Sequence, residues 1–81
     1  MTRADLPDIV LEALKALGGR GTIAEICKYI WEKYESDLRK SGDLFYRWQY
    51  DMRWAGQRLR NTGKLVKADK APKGFWVIAK S

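Results

Sequence analysis

Apolar residues recur at helical spacing in three separate stretches of the chain, and glycines or polar clusters separate them. Leu6, Val10, Ala13, Leu14 and Leu17 fall at i, i+4, i+7, i+8 and i+11, which predicts a helix over residues 7–17 with one apolar face. Pro7 suits the first turn, where a missing N–H costs nothing, and Asp8 suits the positive end of the dipole. Gly18 and Gly19 then stop the helix. After a short extended segment at Arg20 and Gly21, Thr22 and Glu25 have the Thr-x-x-Glu spacing of a capping box. Ile23, Ile26, Cys27, Ile30, Trp31 and Tyr34 follow at helical spacing, predicting a second helix over residues 23–34. The period lapses over residues 35–43, which read as a connection with one helical turn near Leu38. Asp43 or Ser41 is placed to cap the next helix.

The third helix is expected over residues 44–62, with Gly63 past its end. Trp48, Met52, Ala55, Leu59 and Thr62 form its buried stripe. At about 100° per residue the opposite face centres on Gln57. Tyr46, Tyr50, Arg53, Arg60 and Asn61 surround it, Trp54 and Arg58 lie on one flank, and Asp51 sits toward the core edge. Two apolar segments, residues 65–68 and 75–79, flank a turn-rich basic loop from Asp69 to Gly74 and predict a hairpin. Period-2 alternation puts Trp76 and Ile78 on one face and Phe75 and Val77 on the other, without saying which pair is inside. The expected fold is mainly α with a small β-hairpin: three helices and a two-stranded wing, a winged helix-turn-helix forming one domain over residues 1–81.

Charge sharpens this picture. Residues 44–81 carry nine Lys/Arg against Asp51 and Asp69, whereas residues 1–43 carry seven Lys/Arg against eight Asp/Glu. The net +6 therefore belongs to the third helix and the wing, the footprint of a polyanion binder. A single Cys and the absence of His exclude an internal disulfide, the common zinc ligand sets and the usual general base at neutral pH. Neither a cofactor nor catalysis is expected. With 46% apolar residues, four Trp and four Tyr, a core without a staple is feasible. No apolar run approaches the ~18–20 residues of a membrane span, and Met1 to Asp5 has no signal-peptide character. A cytoplasmic protein is expected, nucleoid-associated in a bacterial cell.

Five stretches stand out together: Leu6-Pro7-Asp8-Ile9-Val10-Leu11-Glu12-Ala13-Leu14, Gly21-Thr22-Ile23-Ala24-Glu25-Ile26, Met52-Arg53-Trp54-Ala55, Leu59-Arg60-Asn61-Thr62-Gly63-Lys64-Leu65 and Gly74-Phe75-Trp76-Val77-Ile78. In them the chain resembles the N-terminal winged-helix domain of Mrr-type restriction endonucleases. The resemblance is weakest over residues 35–47, and the chain departs from the family at Gly56 and Arg58, where larger apolar residues are expected. In that family this module supplies DNA binding while a separate nuclease domain cuts, so the resemblance implies binding without cleavage.

The third helix would enter the major groove and the wing would lie on the phosphates, in transcription regulation or as the recognition module of a restriction system. Arg53, Gln57 and Asn61 occupy successive turns and are the expected base readers, since Arg pairs with guanine and Asn or Gln with adenine. Tyr46, Tyr50, Arg58 and Arg60 are expected at phosphates, with Lys67, Lys70 and Lys73 contributing from the wing. Trp31, Trp48 and Trp76 read as core; Trp54 either packs under the wing or stacks on the nucleic acid. Thr22 is primarily a cap. Cys27 reads as an inert small hydrophobe, and Asp5, Asp8 and Glu12 as dipole and solubility residues without chemistry. The expected partner is double-stranded DNA, and both a homodimer on a palindrome and fusion to a larger effector domain are compatible with it. Two alternatives use exposed Tyr46, Tyr50 and Trp54: a protein–protein interaction module, or an RNA or single-strand binder that stacks bases on them.

Overall fold

In the computed structural model, residues 1–79 are described; Lys80, counted above among the basic residues of the second half, lies outside them. A single 3-10 turn, Arg3–Asp5, leads into α1 (Leu6–Ala16), β1 (Arg20–Thr22), α2 (Ile23–Arg39) and α3 (Leu44–Asn61). A second 3-10 turn, Ala68–Lys70, precedes β2 (Phe75–Val77). The architecture is mainly helical with a two-stranded antiparallel sheet, in which Arg20 pairs with Val77, Gly21 with Trp76 and Thr22 with Phe75. Among the described residues no helix is long and apolar enough to cross a membrane.

The apolar stripes meet in one core. Leu6, Val10, Ala13 and Leu14 of α1 pack with Ile26, Ile30 and Leu38 of α2. Leu44, Trp48, Met52, Ala55 and Leu59 of α3 join them, and Leu65 closes the bottom. Burying a large aliphatic or aromatic side chain contributes roughly 1.5–3 kcal/mol, so this cluster and not the small sheet holds the fold together. Trp31 stacks on Trp48 with ring centroids 6.3 Å apart and planes 4° from parallel. Leu17 and Ile23, at the ends of their expected stripes, are exposed instead.

α2 runs to Arg39, five residues beyond the expected end. Leu38 stands two further turns beyond Ile30 on the same face and is fully buried, while Ser36 and Asp37 occupy the exposed face. The i, i+4 pair Glu35–Arg39, 2.8 Å apart, supports the added turn. The Thr22–Glu25 capping box is present: the Thr22 N–H donates to Glu25 Oε1 at 2.9 Å and the Glu25 N–H to Thr22 Oγ1 at 3.2 Å. These bonds hold the exposed Glu25 carboxyl below its ordinary range. No side-chain cap starts α3, because Asp43 adopts helical dihedrals and the Ser41 hydroxyl turns back to the Asp37 carbonyl. Thr62 is exposed past the last turn, donating to the Arg58 carbonyl at 3.0 Å.

The expected hairpin survives only in part. Gly63, at φ +78°, adopts the left-handed conformation that reverses the chain after α3, and the Lys64 N–H closes the turn on the Leu59 carbonyl at 2.8 Å. The returning chain makes one bridge, Leu65 to Ile78, and the Val66 N–H donates to the Val77 carbonyl at 2.8 Å. Beyond Val66 the chain leaves the ladder: Lys70 and Ala71 N–H groups both bond back to the Lys67 carbonyl, at 2.9 and 3.1 Å. β2 takes its regular partner from β1 instead, so the last strand lies between β1 and the 64–66 segment. Trp76 and Ile78 are the pair that packs against the core.

Candidate nucleic-acid interface

α3 is buried on one side by α1 and α2, and its opposite side faces the turn formed by residues 67–74. The glycine that interrupts this helix explains how the two meet. Gly56 is buried, and a Cβ there would stand 2.7 Å from Trp76 Cη2 and 2.9 Å from Cζ3. The Trp76 indole therefore lies directly on the helix backbone. The indole fills the volume that a larger side chain at Gly56 would take.

Between α3 and the turn runs a groove in two connected parts. One, of about 600 Å³, is lined by Ile23, Arg53, Gln57, Arg60, Ala68, Ala71, Pro72, Lys73, Gly74, Phe75 and Trp76. The other, of about 610 Å³, is lined by Gln57, Arg60, Asn61, Lys67 and Ala68. Gln57, Arg60 and Ala68 belong to both. Among the described residues no carboxylate lines either part; Asp69, within the turn, is exposed and lines neither. The ion pairs among the described residues, Arg3–Asp51, Lys33–Glu12 and Arg39–Glu35, involve none of the groove's cations. Arg53, Arg60, Lys67 and Lys73 thus share one trough with no counter-charge, an arrangement that favours an anionic ligand.

Six of the residues expected at the interface are brought together here: Arg53, Gln57, Arg60, Asn61, Lys67 and Lys73. Arg53, Gln57 and Asn61 are exposed along the helix, and Gln57 Nε2 donates to Asn61 Oδ1 at 2.9 Å, aligning the two amides. Arg60 is half-buried, its guanidinium 5.3 Å from the Trp76 ring centroid, and its Nε is sealed from solvent without a hydrogen-bond partner.

The other expected residues lie elsewhere. Tyr46 and Tyr50 are 83% and 73% exposed and extend the free face of α3 toward its N-terminus, outside the groove. Lys70 is exposed on the turn but lines neither part. Trp54 does not pack under the turn. It sits half-buried on the far flank, with the Arg3 guanidinium 4.1 Å and that of Arg58 5.9 Å from its ring centroid. Trp76 occupies the place beside the turn, and the N-terminal 3-10 turn brings Arg3 over Trp54 instead. Arg3 also reaches Asp51 at 3.7 Å, giving that buried carboxylate its ion pair.

Sequence reasoning missed Ile23 and Phe75, which supply apolar lining. The one available signal was Gly56: a glycine inside an otherwise regular helix marks where a bulky residue approaches, and Trp76 facing inward leaves Phe75 facing out. Elsewhere, burial pushes the Cys27 thiol up, which keeps it protonated and unreactive. Among the described residues no three His, Cys, Asp or Glu side chains gather as a metal site. No family model matches the chain, and neither a curated protein nor a solved structure matches it.

Proposed function

We propose that the chain is a non-catalytic winged-helix module, akin to the N-terminal domain of Mrr-type restriction endonucleases, that binds double-stranded DNA. α3 enters the major groove and the 67–74 turn acts as the wing on the backbone. The observation that carries this reading is the trough between helix and wing, with four cations, two aligned amides and no carboxylate. The element order, with β1 between the first two helices pairing to the strand after the wing, supports the same reading. So does the spacing of the polar face. Arg53, Gln57 and Asn61 rise about 6 Å per step along the helix, close to two base-pair steps of roughly 3.4 Å.

A second reading has its own observation. Tyr46 and Tyr50, one turn apart and largely exposed, would stack bases of a single strand. Competition separates the two. A fluorescent duplex titrated with protein at fixed low salt should be displaced by unlabelled duplex far better than by unlabelled single strand. Equal or better displacement by the single strand would favour the second reading.

A further inference from the structure

Arg60 is held in a way that its part in the fold does not explain. Resting on the duplex-binding reading, we propose that the trough between α3 and the wing seats the sugar-phosphate backbone of one DNA strand, and that Arg60, fixed on Trp76, grips a single phosphodiester there. Gly56 and Arg60 are four residues apart and lie on the same side of α3. The Trp76 indole spans both: it rests on the bare Cα of Gly56 and carries the Arg60 guanidinium at 5.3 Å. Trp76 is the positioning residue, and Gly56 is what lets it approach.

Among the described residues the guanidinium has no protein anion to answer it: Arg60 makes no ion pair, and its Nε is buried with no acceptor. A buried, unpaired charged donor is destabilising to the folded protein. Arg3 and Arg39, by contrast, each stack on a tryptophan and also pair with a carboxylate. A planar guanidinium fixed at one face presents its remaining nitrogens as a fork, which matches the two free oxygens of a phosphodiester. Arg60 stands at the junction of the two parts of the trough, with Lys67 lining one part and Lys73 the other. Cations spread along an open channel suit a chain of phosphates better than one small anion. Arg60 so placed contributes to affinity on every sequence and leaves base reading to Arg53, Gln57 and Asn61.

The test replaces each phosphodiester of a bound duplex, one at a time, by an uncharged methylphosphonate. In the wild-type protein one linkage should show a loss of about tenfold or more, the size of a charge-assisted hydrogen bond. In R60Q the penalty at that linkage should vanish, with the penalties elsewhere unchanged. An unchanged profile in R60Q overturns the assignment while leaving duplex binding standing; no duplex binding by the wild-type protein at low salt overturns both. A second measurement needs no variant. The Arg60 Nε–H resonance should shift on adding the natural duplex and stay put with the duplex neutral at that linkage. An equal shift with inorganic phosphate at the same concentration would reduce the site to a simple anion pocket and overturn the strand seat.

Discussion

Gly56 and Glu12 show how single side chains, or the lack of one, set the shape of this molecule. Replacing a helical Gly by Ala normally stabilises by about 1 kcal/mol. At Gly56 the new Cβ would meet Trp76 at 2.7 Å, and that ring is held by strand backbone, so overpacking of roughly 1–3 kcal/mol opposes the gain. Overpacking is the larger effect: Gly56→Ala should lower stability in a urea titration, and a net gain would show that the indole moves aside freely. Glu12 accepts hydrogen bonds from Lys33 Nζ at 2.7 Å, Tyr34 OH at 2.5 Å and Tyr29 OH at 2.9 Å, tying α1 to α2. The Lys33 bond first, then that from Tyr34, brings its pKa down from 4.5 to about 2. A depressed carboxylate pKa means stability present in full above pH 4.5 and lost as the pH falls through about 2. The Glu12 side chain is 35% exposed, so solvent screening holds the effect near 1 kcal/mol. Glu12→Gln should lose that amount at pH 7 and converge with the wild-type protein as the pH approaches 2; a constant difference would contradict this origin. None of it was legible in the sequence, where Glu12 read as a solubility residue, because its partners lie 17 to 22 positions away.

At the scale of elements, the helices were legible and the strand pairing was less so. Three apolar periods located α1, α2 and α3 because each helix buries one stripe in a shared core. The end of α2 was missed because Ser36 and Asp37 look like a connection until Leu38 is found buried. The hairpin was misread for a different reason. Apolar residues mark a segment as extended, but they do not name its partner, and β2 pairs chiefly with β1 across more than fifty residues of chain. Thr22 carries the start of α2, and losing a cap of this type costs about 1 kcal/mol; Thr22→Ala should lower the unfolding midpoint accordingly. For the trough, periodicity placed Arg53, Gln57 and Asn61 on the exposed face of α3, and it could not tell which lysines line the groove beside them. Lys67→Ala with Lys73→Ala should weaken all duplexes alike and flatten the salt dependence by about two units of slope. Lys70→Ala, outside the trough, should do less; an equal or larger effect would relocate the contact to the tip of the turn. Arg53→Ala or Gln57→Ala should instead relax sequence preference, by roughly 1–3 kcal/mol at one base pair, in a selection from random duplexes.

On the scale of the whole molecule, charge and shape agree. The acidic residues concentrate in the first half of the chain, where Asp5, Glu12, Glu25 and Glu35 make ion pairs or hydrogen bonds away from the trough, while the second half carries the positive excess. The longest dimension is 36 Å, about one turn of duplex, so one copy should protect on the order of ten base pairs. A footprint twice as long would indicate two copies side by side. The central claim, that the basic trough and wing bind duplex DNA through its phosphates, is tested most directly by duplex affinity measured across a range of salt concentrations. With about five phosphates neutralised by the basic residues of α3 and the wing, log K should fall against log[salt] with a slope of roughly −4 to −5. A slope near zero, or no duplex binding at low salt, would contradict it.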